Sequence, residues 1–470
     1  MSEDRDYEKA AIAARLDRLP RSGFHYKLLG INGLAWAFDA FDVGLMTFVV
    51  AKLNQSWSLS AEETGLLLSS GLFGMLVGAF LSGPLADRFG RKCIFQATML
   101  AFTLFSVACA YVPAGNVYLL ALLRFLVGLG LGGETPVNNA IMGEFVPPVH
   151  RGKIQGTLNC FWALGWLGAA ATSFFLIPNL GPENPLASAL VPHGDGWRVA
   201  FLVGALPALY VFYIRRALPE SPRWLAGKGR LEEAGAILDK IEASIARKHV
   251  IPPVRPEDIN AHRRQPVSLP ASALFRGKYL SRTLVLWTLW FFCMAGYYGL
   301  FGWLPSLLTS MGHSMSNAFL QIMLMQICYI PNQIITAFLM DKYGRKPLLV
   351  VNMSGTAVCA LAYGFALSQG LPTPVVLALG CVTAFFTSAI TGAASTYTPE
   401  QYPTAIRATG TAWSVAVSRV GSMLMPLATG FILAGAGLFP VFVLISFLYV
   451  VPAVVVAVWG PETRGTPLEI

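Results

Sequence analysis

The feature that most constrains this chain is a series of apolar runs, each about as long as a lipid bilayer is thick. A helix needs about 20 residues to cross a hydrocarbon core of about 30 Å. The runs cover residues 28–50, 64–85, 94–112, 118–141, 156–177, 197–214, 283–308, 318–340, 348–367, 374–396, 408–432 and 439–459. A spanning segment must satisfy its own backbone hydrogen bonds, and the runs are too long for barrel strands. They therefore predict an all-α polytopic membrane protein with twelve transmembrane helices.

The composition agrees with a chain adapted mainly to lipid. Hydrophobic residues make up 55% of it and charged residues only 13%, whereas soluble chains are about a quarter charged. The first 27 residues are polar and lack the pattern of a secretory signal, so we expect the first span to be retained. The seven cysteines fall in or beside apolar segments without metal-ligand spacing. We expect no disulfide, no metal site and no cofactor.

The distribution of positive charge predicts the orientation of the chain. Of the 34 Lys and Arg residues, only Lys52 and Arg198 fall in loops on one side, while Arg124 and Arg419 lie inside spans. Because loops rich in Lys and Arg stay in the cytoplasm, both termini are predicted to be cytoplasmic in a multi-pass protein of the plasma or inner membrane. The net charge of +9 then has a topological origin, and nucleic-acid binding is not expected.

A polar, proline-rich segment divides the apolar runs into two groups of six. We expect a cytoplasmic tail (1–27), a first six-helix bundle (28–216), a cytoplasmic linker with short helices (217–280), a second bundle (281–460) and a C-terminal tail (461–470). We expect the protein to be monomeric.

The two halves share loop motifs that indicate an internal duplication. GPLADRFGRK at 83–92 matches FLMDKYGRKP at 338–347, and GEFVPPVHRG at 143–152 matches PEQYPTAIRATG at 399–410 at nearly the same separation. An Asp at a helix end, a Gly turn and a basic pair can hold neighbouring helix ends together through charge-assisted hydrogen bonds. The predicted gate residues are Asp87, Arg91, Glu144, Arg151, Asp341, Arg345, Glu400 and Arg407. The alternative is a basic anchor at the membrane surface.

With these motifs the sequence resembles the major facilitator superfamily over nearly its whole length. RFLVGLGLGGETP at 124–136 resembles its fourth-helix motif, and PESPRWL at 219–225 and PETRG at 461–465 resemble the sugar-porter branch. The resemblance implies a solute site between the two bundles near the bilayer midplane, reached by alternating access.

Few ionisable residues lie inside the predicted spans, and such residues are costly unless they serve a function. Asp39 and Asp42 stand three apart on one face of the first helix, where proximity and burial favour proton binding. They are candidates for proton coupling, with Arg124 and Glu134 of the fourth helix. The alternative is a permanent ion pair with Arg124, which would keep one carboxylate charged throughout. The Asp of FDVGL, Asp42, resembles the first-helix Asp that proton-linked relatives pair with a fourth-helix Arg. Arg419 either binds a solute carboxylate or reaches out to the cytoplasmic membrane surface.

The resemblance to sugar porters does not extend to their hydroxyl-binding groups. At the positions of the seventh-helix Gln pair and Asn of those porters stand Cys293, Met294 and Gly299, and the tenth-helix Trp is Ser395. A site without these groups binds sugars poorly. Aromatic side chains with a few placed polar groups suit a planar ring bearing a carboxylate or an amide. The candidate solute-binding residues are Asn159, Trp36, Asn138, Trp162, Tyr297, Tyr298, Gln326 and Arg419.

FDAFDVGL, GGETPVNNAIMGEFVPPVHRGK and YYGLFGWLP together resemble the nicotinate (niacin) permeases among the proton-linked metabolite and aromatic-acid symporters. The resemblance implies proton-coupled uptake of nicotinate or a related small acid. Other aromatic or organic acids, a sugar-porter-like facilitator and a solute sensor that does not transport remain alternatives. No catalytic grouping of Ser, His, Asp or Cys is apparent, so we expect no enzymatic activity.

Overall fold

The structure is a computed structural model that describes residues 2–263 and 270–464. The side chains of residues 2–5, 148–156, 159, 207, 208, 212, 215, 261–263, 341, 404, 405 and 408 lie outside the description. Within the described residues all regular structure is helical, and ten helices are long and apolar enough to cross a membrane. The fifth span is supplied by a further helix whose apolar part is Cys160–Leu176. The prediction of an all-α membrane fold is confirmed.

The first bundle follows an N-terminal helix that the sequence reasoning did not anticipate. The helices are α1 (Ser2–Asp17), α2 (Gly23–Ser56), α3 (Ala61–Phe89), α4 (Arg91–Ala110), α5 (Val117–Phe145), α6 (Pro148–Leu176), α7 (Pro185–Leu190), α8 (Gly196–Val203) and α9 (Pro207–Ala217). The start of α3 is stabilised by a reciprocal cap, in which Ser60 and Glu63 each accept a hydrogen bond from the other's backbone N–H at 3.1 and 2.9 Å.

The sixth span differs from the single helix expected over 197–214. It consists of α8 and α9, separated by a turn at residues 204–206. Pro207, the first residue of α9, has no backbone N–H to donate into the preceding turn, which is why the helix breaks there and restarts.

Short helices lie between the bundles, as the polar segment predicted. They are α10 (Pro222–Gly227), α11 (Leu231–Ala246) and α12 (Pro256–Arg263), followed by a 3₁₀ turn at Ala271–Phe275. The second bundle comprises α13 (Gly277–Ser310), α14 (Met315–Tyr343), α15 (Arg345–Ser368), α16 (Thr373–Glu400), α17 (Thr404–Ala436) and α18 (Leu438–Trp459). The division of the chain at residues 27, 216, 280 and 460 stays a prediction.

The two ends of the bundles differ in charge. Basic side chains flank the one-residue turns between α3 and α4 and between α14 and α15. They are Arg88, Lys92, Lys342 and Lys346. The helices α1 and α10–α12 lie at this same end, which we call the basic end. The other end is called the opposite end. Contacts between the bundles lie in the half nearer the opposite end: Phe48 of α2 meets Phe319 of α14 edge to face at 4.9 Å. The backbones of α17 and α3 approach so closely there that a Cβ on Gly430 would lie 2.5 Å from the Ala61 carbonyl oxygen.

Helix α1 is held against the linker helices at the basic end by apolar and ionic contacts. Leu16 is buried in the main apolar core. Arg15 contacts both Asp239 (2.6 Å) and Glu242 (2.7 Å) of α11, and Arg18 contacts Glu242 at 2.8 Å. The N-terminal segment and the linker therefore form one ordered layer.

Candidate functional site

A buried ion pair joins α2 to α5 in the first bundle. Asp42 accepts hydrogen bonds from Arg124 at 3.1 and 2.6 Å, and from the Ser106 hydroxyl at 3.3 Å. The Arg124 guanidinium also lies 5.7 Å from the centre of the Phe201 ring. The bidentate geometry compensates both charges in a region from which water is excluded. The ion pair considered as an alternative for the aspartates is thus formed by Asp42.

Asp39 turns away from that pair, toward Glu134 of α5. The carboxyl groups of Asp39 and Glu134 lie close enough to interact electrostatically, and both side chains are buried. Among the described residues no donor group bonds to any of their four oxygens. Two neighbouring buried carboxylates repel each other. The arrangement therefore favours a proton on one member of this pair.

Arg419 of α17 approaches the same place from the second bundle. It lies midway along its helix, close to the Tyr298 hydroxyl of α13, and interacts electrostatically with Tyr298 and Asp39. The alternative in which Arg419 reaches the membrane surface does not describe this position. Asp39, Glu134, Tyr298 and Arg419 thus form one cluster to which both bundles contribute.

Aromatic side chains form a second group across the same interface. Trp36 and Trp162 pack with ring centres 5.7 Å apart, and Trp162 lies beside Tyr297 of the other bundle. Tyr297 in turn packs against Trp166 at 6.1 Å and against Tyr298 at 5.2 Å. Tyr298 therefore connects the aromatic group to the charged cluster.

The three predicted amide ligands have different surroundings. Gln326 is buried on α14, and its amide nitrogen has no hydrogen-bond partner among the described residues. Asn138 is buried between α5 and α2, where its amide donates to the Asn32 carbonyl at 3.1 Å. The side chain of Asn159 lies outside the described residues. Asn138 and Gln326 lie on different helices, α5 and α14, and a role of Asn159 in the site stays a prediction.

A cavity opens beside the charged cluster, between α2, α3 and α5 on one side and α13 and α17 on the other. Its lining includes Thr47, Arg124, Tyr298 and Pro426. The position between the bundles is the one implied for a solute site by the sequence resemblance.

The gate motif of the first bundle forms a connected set of ion pairs at the basic end. Arg91 contacts Asp87 at 2.7 Å and Glu144 of α5 at 2.9 Å. Gly90, with φ of 102°, makes the turn between α3 and α4, and a Cβ there would collide with the Glu220 carboxylate. The motif thus links the ends of α3, α4 and α5. Arg151 has its side chain outside the described residues.

The second bundle repeats this arrangement. Arg345 binds Glu400 through two hydrogen bonds of 3.1 and 3.0 Å. Arg407 donates to the backbone carbonyls of Pro399 (3.1 Å) and Tyr402 (3.2 Å). The side chain of Asp341 lies outside the described residues, so its pairing with Arg345 stays a prediction. In both halves the ion pairs join helix ends within one bundle.

Two residues of these ends were missed by the sequence reasoning. Glu220 accepts hydrogen bonds from the backbone N–H groups of Arg91 (3.1 Å) and Lys92 (3.3 Å), and Glu462 does the same for Arg345 and Lys346 at 3.0 and 3.1 Å. Each carboxylate caps the positive N-terminus of a helix far away in sequence. Both residues stand in recognised motifs, PESPRWL and PETRG, but only the fold shows which amides they meet.

The two matched helical bundles enclose ionisable groups midway through the membrane, and the same ion-paired loop motif recurs in each bundle. These features define a membrane transporter with the major facilitator fold. The chain belongs to the family described as "Sugar (and other) transporter", whose profile matches residues 26–470. It is therefore a multi-pass membrane transporter and not an enzyme.

Individual relatives fall within this family. The chain is 38% identical over 459 residues to the niacin transporter NiaP of Acinetobacter baylyi, covering 97% of this chain and 99% of the relative. It is 30% identical to the gallate transporter of Pseudomonas putida, covering 96% of each. Among solved structures, a partially occluded inward-open conformation of the Escherichia coli xylose transporter XylE superposes with a TM-score of 0.75. That structure is 19% identical, and the match covers 95% of this chain and 100% of XylE.

Proposed function

We propose that the protein imports nicotinate together with a proton by alternating access. The observation that carries the proposal is the cluster in which Asp39 and Glu134 of one bundle face Arg419 and Tyr298 of the other. A cation and a hydroxyl suit a carboxylate, and the adjoining Trp36, Trp162 and Tyr297 suit a flat ring. The similarity to a niacin transporter over nearly the whole chain supports this choice of solute.

The charges of the cluster explain how proton and solute would be coupled. With one shared proton, Asp39 and Glu134 carry a single negative charge, which Arg419 balances. A nicotinate anion bound to Arg419 neutralises the guanidinium, so Arg419 no longer balances the charge of the carboxyl pair. The carboxyl pair then favours a second proton. Loading therefore adds one anion and one proton without a net change in charge. The Asp42–Arg124 pair balances itself and stays intact throughout the cycle.

We propose that the basic end faces the cytoplasm, because loops rich in Lys and Arg stay on that side. The bundle contacts at Phe48, Phe319 and Gly430 then close the extracellular side. The ion pairs at Arg91 and Arg345 hold the helix ends of each bundle together as it rocks. Cys93, which is exposed at the basic end, offers a test: an impermeant thiol reagent should label it in inside-out vesicles and not in right-side-out vesicles.

The test of the function is uptake of labelled nicotinate into proteoliposomes under an imposed pH gradient. We expect accumulation that collapses with a protonophore and is lost in the Asp39→Asn and Glu134→Gln variants. Accumulation that persists in both variants would show that the carboxyl pair does not couple transport.

Hydroxylated aromatic acids are the second candidate solutes, since the chain also resembles a gallate transporter. Competition for the uptake of labelled nicotinate distinguishes these two solute assignments. If unlabelled gallate or 4-hydroxybenzoate inhibits uptake at lower concentration than nicotinate does, the second assignment is correct. Inhibition by xylose alone would favour a sugar-porter function.

A further inference from the structure

A line of buried polar groups runs from the carboxyl pair to the basic end along the contact between α2 and α5. His25, Asn32 and Asp39 are spaced by seven residues, which places them on one face of α2. Opposite them on α5, Glu134 faces Asp39 and Asn138 faces Asn32. We call this line of five residues the polar seam.

The seam contains more hydrogen-bonding capacity than its protein contacts use. The amide of Asn32 donates to the Leu28 carbonyl at 2.8 Å, and that of Asn138 donates to the Asn32 carbonyl. The side-chain oxygens of both asparagines are buried and have no hydrogen-bond partner among the described residues. The same is true of the four carboxyl oxygens of Asp39 and Glu134. Buried acceptors without protein donors are usually satisfied by internal water.

Other hydroxyl groups border the same stretch. The Tyr210 hydroxyl of α9 donates to the Ile31 carbonyl at 3.1 Å and interacts electrostatically with Glu134. At the basic end, Ser22 and His25 are hydrogen-bonded at 3.0 Å, and the neighbouring Arg21 and Tyr26 are exposed. Seven helical residues rise about 10 Å, so a proton needs a short chain of water molecules for each step along the seam.

The seam ends in the other direction at a permanent ion pair. Beyond Asp39, toward the opposite end, the next groups on α2 and α5 are Asp42 and Arg124. Because the Asp42 carboxylate is held by two hydrogen bonds from Arg124, it is a poor acceptor for a proton that moves along the same line. The remaining charged group facing Asp39, Arg419, lies on the second bundle across the solute cleft.

We propose that the polar seam is the route by which the proton bound at Asp39 and Glu134 leaves to the basic end, separate from the solute cleft. In this step a carboxyl O–H bond breaks, the carboxylate keeps the electron pair, and the proton passes through water beside Asn138 and Asn32 to His25. The proposal rests on the proposed proton coupling, and it assigns Asn138 to the proton route and not to solute binding.

The test compares two activities in proteoliposomes. Accumulation driven by a pH gradient requires proton release on every cycle, whereas counterflow exchange of labelled for unlabelled nicotinate proceeds with the proton in place. We expect Asn32→Leu and Asn138→Leu, which keep the branching and the number of side-chain heavy atoms, to slow accumulation about tenfold, a barrier increase of about 1.4 kcal/mol. Counterflow and thermal stabilisation by nicotinate should stay close to the parent values.

Two further variants complete the design. Asn138→Ser leaves a polar group and room for water, so it should restore accumulation. Gln321→Leu is the control. It removes a buried amide of the second bundle whose nitrogen also lacks a partner among the described residues. It should change neither accumulation nor counterflow.

The outcomes separate the two proposals. If Asp39→Asn loses accumulation while the leucine variants keep it, the seam is not the route and the carboxyl pair still couples. If the leucine variants lose counterflow and nicotinate stabilisation as well, the asparagines support solute binding or folding, and the route is wrong. If Asp39→Asn and Glu134→Gln both keep accumulation, both proposals fail.

Discussion

Asp42 and Arg124 form a bidentate ion pair in which the two side chains are 1% and 3% exposed. Removing one partner leaves a buried charge without compensation, which costs about 3–5 kcal/mol. We therefore expect Asp42→Asn to lower the unfolding temperature markedly, as measured by tryptophan fluorescence of the detergent-purified protein. The double variant Asp42→Asn with Arg124→Gln removes both charges and should recover part of the loss. An Asp42→Asn protein as stable as the parent would contradict the view that this pair is structural.

Arg419 should determine the preference for an acid over a neutral amide. A hydrogen bond to a charged group contributes about 1.5–3 kcal/mol, which corresponds to a change in affinity of about 10- to 100-fold. We expect Arg419→Gln to raise the KM for nicotinate by about that factor and to leave inhibition by nicotinamide nearly unchanged. Arg419→Lys, which keeps the charge without the planar fork, should fall between the two. Equal weakening of acid and amide would show that Arg419 does not contact the carboxylate.

The charge balance of the cluster predicts electroneutral transport. One proton accompanies one anion, so the membrane potential does no net work on the loaded carrier. A pH gradient alone should drive accumulation of nicotinate in proteoliposomes, and a potassium diffusion potential set with valinomycin at equal pH should not. Accumulation driven by the potential would require a second proton or another cation.

The docking of α1 should depend on pH. Burial alone would raise the pKa of Glu242, but hydrogen bonds from Arg15 and Arg18 outweigh it and hold the pKa below the ordinary Glu value. Because the pKa is lower in the docked state, the ionised carboxylate stabilises docking at neutral pH. This contribution is lost as the pH falls below about 4.5, where the carboxylate takes up a proton. Hydrogen exchange of the α1 amides should therefore rise at pH 4 relative to pH 7 after correction for the intrinsic rate.

Glu242→Gln should produce the same loosening of α1 at pH 7. Glu233→Gln is a suitable control, because Glu233 pairs only with the nearby Arg230 on the exposed surface among the described residues. Loosening of equal size in both variants would show that the surface charge of α11, and not the contact with α1, is responsible.

Glu220 and Glu462 should each stabilise the start of a distant helix. Replacing a capping group by alanine costs about 0.5–2 kcal/mol. We expect Glu220→Ala to increase hydrogen exchange at the amides of Arg91 and Lys92, with Arg345 and Lys346 as an internal control. Glu462→Ala should give the reverse pattern. Changes at both helix starts in either variant would indicate a general loss of stability.

Much of the architecture follows from local pattern. Apolar runs of bilayer length specified the transmembrane helices, and the polar segment between them was expected to hold short helices, which are α10, α11 and α12. The duplicated loops correctly placed Arg91 with Asp87, because these residues lie one helical turn apart. The break before Pro207 was not predicted, because the apolar run continues through the short turn. The helix α1 was not predicted, because the polar N-terminal tail lacks a clear helical repeat of apolar residues.

The sequence by itself determined that this is a membrane transporter with two related halves, because hydropathy and repeats are properties of short segments. Only the tertiary structure decided which aspartate is tied to Arg124 and which faces Glu134, although the two are three residues apart on one helix. The same holds for Arg419, whose meeting with Tyr298 depends on how α17 packs against α13. Partners of buried charges are set by helix rotation and packing, and these arise from contacts between segments far apart in sequence.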